Sequence, residues 1–201
     1  MDNRSYILPL LDFTDPDKFY FIQIFKRRKD NPDMDKDMVV LRNFTVFTLE
    51  EFHTSFEKIR KICTDNNARA YIRLNRRSEK KVALQMLARL ATMIAMEQYN
   101  VENVYWSATG EFHSETDKTW LIDIDTVDFI GKEAELASIH ERIKELQILA
   151  GREPRMHIIP TKNGYHIITR PFNKKMLEPY THGKGVKIDI HTDNPTILYT
   201  L

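Results

Sequence analysis

Asp123, Asp125, His166 and Asp189 are residues whose side chains do chemistry, and their spacings can bring them together. Asp123 and Asp125 close the run Trp120-Leu121-Ile122-Asp123-Ile124-Asp125, which reads as a buried strand interrupted near its end by two carboxylates. Residues two apart in a strand point to the same face, so the two carboxylates project together. At a few ångströms they repel, and burying them unpaired is costly. A divalent cation removes that penalty, because hard oxygen ligands suit Mg²⁺ or Mn²⁺. Taken alone, the pair leaves open a strand end with two solvated aspartates. His166 starts a strand after the turn Thr161-Lys162-Asn163-Gly164, and Asp189 is a lone carboxylate within Lys187-Ile188-Asp189-Ile190. Three carboxylates and a histidine on strands of one sheet point to a site.

Positioning them requires several strands in register. Residues 1–17 read as a loosely ordered arm with turn signals at Asp15-Pro16-Asp17. Lys18 to Lys26 and Met38 to Phe47 read as an antiparallel strand pair across the turn Lys29 to Asp37. Thr48-Leu49-Glu50-Glu51 is a capping box, with Phe47 and Phe52 placed for a hydrophobic staple, and its helix runs through Phe56, Ile59 and Cys63 to Asn66-Asn67. Ala68 to Arg76 reads as a third strand, with Tyr71, Arg73 and Asn75 on one face and Ile72 and Leu74 on the other. Ser78 caps a long helix to about Tyr99, whose methionines and alanines read as core packing. Val101 to Trp106 reads as a short strand or irregular link.

Beyond the aspartate strand, Glu133 to Ala150 reads as a helix ended by Gly151. Arg155 to Pro160 and Tyr165 to Arg170 read as a hairpin around Asn163-Gly164. Asn173 to Tyr180 reads as a short helix, Gly183-Lys184-Gly185 leads into the strand Val186 to His191, and Thr196 to Thr200 is a last strand. The order β-β-α-β-α, then β-α-β-β with further strands, predicts an α+β (α/β) fold whose second half has a ferredoxin-like or RNA-recognition-motif sheet.

With 201 residues, 42% hydrophobic and 29% charged, the chain suits one sizeable core, with room for two subdomains sharing it. A net charge of +1 implies no polyanionic partner, but the charges are segregated. Basic residues dominate from Glu57 to Lys81 and from Arg152 to Lys187, and acidic ones from Glu102 to Glu145. That pattern fits a metal site flanked by phosphate-binding surfaces, and equally two solvated helix faces. The single cysteine, Cys63, excludes an intramolecular disulfide or a multi-cysteine metal site, and its apolar stripe reads as core. No long apolar run or lipidation motif is present, so no membrane partner and a cytoplasmic location are expected.

In order and separation, Ile122-Asp123-Ile124-Asp125, Gly164-Tyr165-His166 and Ile188-Asp189 resemble the motifs of the archaeo-eukaryotic primase superfamily, the primase-polymerases of archaea, plasmids, phages and end-joining ligases. The resemblance is to plasmid or phage members and runs from about Ala68 onward, with Tyr71 to Arg76 similar to an upstream strand. It implies a primase-polymerase fold, in which an N-terminal αβ unit packs on an antiparallel unit like an RNA-recognition motif. Residues 1–201 would form one catalytic domain, with subdomains of about 1–100 and 101–201.

The activity implied is template-directed nucleotidyl transfer, with two divalent ions, Mg²⁺ or Mn²⁺, held by Asp123, Asp125 and Asp189. His166 would contact the phosphates of an incoming nucleoside triphosphate, near Gly164, while Lys162 and Arg170 neutralise them. Arg73, Asn75 and Arg76 would face nucleotide or template from the first sheet. The implied partners are a single-stranded DNA or RNA template, nucleoside triphosphates and a separate helicase or replication protein. One departure is Gly164, where many members carry a serine, which bears on a hydroxyl contact to the nucleotide and not on the turn.

Two other readings use the same residues. A metal-dependent nuclease also cuts phosphodiesters with carboxylates and a histidine, and a primase-like fold can persist as a nucleic-acid-binding module without turnover. In the catalytic reading, His166 is expected in an open cleft beside Lys162, its pKa raised by the carboxylates. A core histidine would be buried, its nitrogens satisfied by backbone carbonyls.

Overall fold

A computed structural model describes residues 1–111, 116, 118–178, 181, 188–193 and 195–201. The chain is α+β, with two four-stranded antiparallel sheets and, fully within the described residues, five α-helices. β1 (Lys18–Arg27) and β2 (Met38–Val46) form the expected hairpin, and β3 (Arg69–Ser78) pairs with the other edge of β1. β8 (Thr196–Tyr199) adds to β3, giving the order β2-β1-β3-β8. The second sheet comprises β4 (Trp120–Asp125), β5 (Met156–Pro160), β6 (Gly164–Thr169) and β7 (Asp189–His191), in the order β5-β6-β4-β7. Because β8 returns to the first sheet, that sheet draws strands from both ends of the chain, and a division near residue 100 does not separate the two sheets.

The local signals act as they should where the core supports them. Helix α2 (Leu49–Asn66) starts at Thr48, whose hydroxyl accepts from the Glu51 amide at 3.1 Å, and ends where Asn67 takes the left-handed conformation at φ 47°. Glu51 accepts from the Phe47 amide at 2.8 Å. The staple does not form, because Phe47 packs on Phe19 while Phe52 enters the main core. That core sets Phe52, Phe56, Ile59 and Cys63 of α2 against Ile22, Ile24, Ala70 and Ile72 of the first sheet. Burial pushes the Cys63 thiol up to about 12, which makes it a small hydrophobe and not a nucleophile. Helix α5 (Glu133–Leu149) covers one face of the second sheet, setting Ile139, Ile143 and Leu146 against Ile122, Ile124 and Ile167.

Three expectations are corrected. The N-terminal segment is no loose arm: it forms helix α1 (Arg4–Ile7), with Ile7 fully buried. The Asn3 side chain donates to Pro160 O at 2.8 Å and Ile197 O at 3.1 Å, tying the segment to both sheets. Val101 to Trp106 is no strand: helix α4 (Val104–Glu111) begins there and packs by Ala108 and Tyr105 against Phe19 and Val82. Helix α3 (Glu79–Ala95) starts at the predicted Ser78 cap but stops before Tyr99, and Val82 is its one fully buried residue. Its apolar positions go all round the helix, whereas Val82 and Met86 are the ones that join the small core with Phe19, Ala108 and Tyr105.

Of the helix expected from Asn173, Lys174–Met176 forms a 3₁₀ turn and Glu178 is helical. Pro179 and Tyr180, the Gly183-Lys184-Gly185 approach, and Val186 and Lys187 of the predicted last acidic strand lie outside the described residues.

Candidate active site

Register builds the site. Asp123 on β4 stands directly opposite His166 on β6 and directly opposite Asp189 on β7. Opposed residues of antiparallel strands share a face with Cα atoms about 4.5–5.5 Å apart. The three therefore form a row across neighbouring strands, and Asp189 does not fall on the far face. Asp125 lies one same-face step along β4, opposite Gly164. The same face carries Leu121, Ile159 and Ile168 into the main core, so the row looks toward the first sheet. Asp125 and Asp189 are exposed there, and the Asp123 side chain is 43% exposed.

The electrostatics are those of an acidic cluster beside a neutral imidazole. Partial burial raises the Asp123 pKa, and repulsion from Asp125 and Asp189 raises it further against the opposing effect of His191. His166 is 9% exposed. Its pKa is pushed down to about 4, first by burial and then by His191, the reverse of the rise expected from neighbouring carboxylates. Desolvation dominates here because the ring is buried against Thr196 of β8, between the two sheets. Nδ1 shares a 2.9 Å hydrogen bond with the Thr196 hydroxyl, and Nε2 lies 3.6 Å from Asp123 Oδ1. Both pKa directions oppose a charged pair, so that approach is not a salt bridge. His166 is thus buried, as a core histidine would be, yet a hydroxyl and a carboxylate flank it where backbone carbonyls were expected.

The hairpin before His166 is tight for a different reason than its Asn-Gly sequence suggests. Among the described residues, the positive-φ positions are Asn67, Glu97, Gly131 and Gly151, and neither Asn163 nor Gly164 is one of them. Gly164 is needed for close approach instead: a Cβ there would lie 1.9 Å from the Ile124 carbonyl oxygen and 3.0 Å from the Thr126 nitrogen. No serine fits on this backbone, so Gly164 offers no side chain to a nucleotide. The Thr126 amide and hydroxyl donate to Asn163 O at 3.0 and 2.8 Å, closing the hairpin against the end of β4.

The outer residues divide. Asp30 is partly buried, which by itself would raise its pKa, but Arg69 and, by its charge, Lys162 at the hairpin tip hold it below the usual range. Lys162 is exposed and lies within electrostatic reach of Asp30 in the β1–β2 turn. Asn75 is 2% exposed and fully committed: its amide nitrogen donates to Thr119 O and Asp193 Oδ1, both at 3.0 Å, and its oxygen accepts from the Thr119 amide at 2.8 Å. Arg73 donates to the Asp193 carbonyl and approaches its carboxylate at 3.4 Å. Arg76 instead bonds Asp12, through its carbonyl at 2.8 Å. Arg170 follows the β6 residue Thr169, which pairs with Trp120. Four residues along a strand from His166, it stands roughly 13 Å away, and its amide donates to Gln147 at 3.2 Å. The acidic row is thus assembled, while Asn75, Arg76 and Arg170 serve the frame.

Three neighbours were missed in the sequence. His191 pairs with Leu121 on the acidic face and acts electrostatically on both Asp123 and His166. The same two-residue spacing that linked Asp123 to Asp125 links Asp189 to His191. Thr196 and Asp193 had no such signal, since they meet His166 and the arginines only through the chain's return to the first sheet.

Among the described residues, no three His, Cys, Asp or Glu side chains converge into a ready-made metal cage. The donor set nonetheless suits a hard divalent ion: carboxylates on one face, partly solvated, with Asp123 already destabilised by its acidic neighbours. No helix among the described residues is long and apolar enough to cross a membrane. Compared with protein-family models, curated proteins and solved structures, the chain gives no significant match.

Proposed function

We propose that the chain is a template-directed nucleotidyltransferase of primase-polymerase type. The observation that carries this reading is the in-register row His166–Asp123–Asp189, with Asp125 one step along the same face. It brings the three separate motifs onto one side of one sheet. The strand order β5-β6-β4-β7, with α5 crossing between β4 and β5, also supports a unit like an RNA-recognition motif.

In this reading Asp123, Asp125 and Asp189 would hold Mg²⁺ or Mn²⁺. Bound divalent ions would activate a primer 3′-hydroxyl and offset charge on the leaving pyrophosphate. His166, fixed by Thr196, keeps a neutral ring against Asp123 and bounds the floor of the site. Lys162 supplies positive charge from the hairpin tip to an incoming nucleoside triphosphate. A single-stranded DNA or RNA template would lie along the exposed end of the acidic row, at Asp125 and Asp189.

One observation favours a second reading, a nucleic-acid-binding module without turnover: His166 is nine-tenths buried and Gly164 has no room for a hydroxyl, so neither offers the expected phosphate contact. The deciding experiment supplies Mn²⁺, labelled nucleoside triphosphates and a primed single-stranded template. Metal-dependent extension lost in Asp123→Ala supports transfer. Shortening of the template in its place means a nuclease, and chelator-insensitive binding without either product means the binding module.

A further inference from the structure

Helix α3 presents an exposed apolar surface away from the acidic row. Its one fully buried residue is Val82, and on the opposite side Leu84, Leu87 and Ile94 are 58, 66 and 59% exposed. Ala83, Ala88, Ala91 and Ala95 lie exposed around them. Arg89, the only charged residue between Ala83 and Ala95, turns away to Ser107 and Glu111 of α4. The outer face is therefore uncharged for more than three turns, a pattern expected of a covered helix.

We propose that this face pairs two copies of the chain through antiparallel α3 helices. The seam Lys80, Leu84, Leu87, Ala91, Ile94 advances by alternating steps of four and three residues, the a/d spacing of a helix pair. Reversed against itself about position 89, it sets Leu84 of one copy opposite Ile94 of the other, and Leu87 opposite Ala91. Large against small fills the contact, whereas a parallel pair would oppose the two Ala91 side chains and leave a gap. The alanines flanking the seam allow close helix approach. This self-matching pattern selects a second copy over an unrelated partner. At about 100 Å² of apolar surface for each of the three large residues and about 50 Å² for each of the four alanines, each copy covers on the order of 500 Å². Twice that falls just short of the lower bound of stable specific interfaces, about 1,200 Å², so the dimer is weak and concentration-dependent.

Sedimentation equilibrium of the full chain tests this. The mass should rise from 23.8 kDa toward twice that value as concentration passes through the micromolar range. Leu87→Glu should weaken association at least tenfold without lowering the melting temperature. Mixed under oxidising conditions, Leu84→Cys and Ile94→Cys chains should cross-link to each other, and neither should cross-link to itself. A constant 23.8 kDa mass, a dimer indifferent to Leu87→Glu, or Leu84→Cys chains linking to themselves would each overturn the proposal.

Discussion

At Asp123, what suits a site works against stability. A carboxyl whose folded pKa is raised holds its proton more tightly folded than unfolded, so its ionised form costs stability above that range. Asp123→Asn should therefore abolish nucleotide incorporation while leaving the metal-free protein as stable as the parent or slightly more so. Thermal unfolding in chelator checks this, and a clear loss would assign Asp123 to the frame. His166 has the opposite linkage. With its folded pKa near 4 against about 6.5 unfolded, the unfolded chain binds the extra proton between those values. Its contribution is complete above about pH 6.5 and lost as pH falls toward 4, on the order of 3 kcal/mol in all. Urea titrations across that interval should show the loss, and His166→Gln should flatten it. Gly164→Ser should cost more than about 2 kcal/mol, because its Cβ meets backbone and not a movable side chain; a fully stable Gly164→Ser protein would contradict this hairpin geometry.

At the scale of elements, Asp193 is the tie between sheets. It accepts from Arg77 Nη2 at 2.7 Å and from Asn75 at 3.0 Å, and Arg77 is fully buried. Removing the carboxylate leaves that guanidinium short of its counter-charge, so Asp193→Asn should destabilise by about 3 kcal/mol in chemical denaturation. Nothing in the sequence marks Asp193, because its partners lie more than a hundred residues away and the loop carries no periodic signal. Strands β1 to β6, the α2 cap and the α5 stripe were legible because alternation, capping chemistry and apolar period each agree with their burial. Helix α3 had the right start and the wrong burial, since its all-round apolar pattern cannot say what covers it. The N-terminal segment was misread despite Ile7-Leu8-Pro9-Leu10-Leu11, an apolar cluster with more to bury than an arm requires. In the candidate site, Asp123 with Asp125 was readable from the period of a strand. Its pairing with Asp189 depended on a register that only the assembled sheet fixes.

For the whole molecule, the site's ions and the fold's stability should be linked. The acidic row repels itself in the metal-free protein, and its three carboxylates come from strands β4 and β7, so a shared cation ties two strands as well as relieving the repulsion. Any ligand that binds the folded chain alone stabilises it by RT ln(1 + [L]/Kd), about 2.7 kcal/mol at a hundredfold excess over Kd. For a chain of this length that corresponds to a rise in melting temperature of roughly 5–10 °C. Mn²⁺ titrated into the chain should therefore raise its melting temperature, with the increment lost in Asp123→Asn and in Asp189→Asn. Ca²⁺ and a monovalent salt of equal ionic strength separate coordination from screening, since screening relieves the same repulsion without selecting among ions. Equal shifts with all three salts, or an undiminished Mn²⁺ shift in the aspartate variants, would remove the metal site and leave the acidic row a solvated strand end.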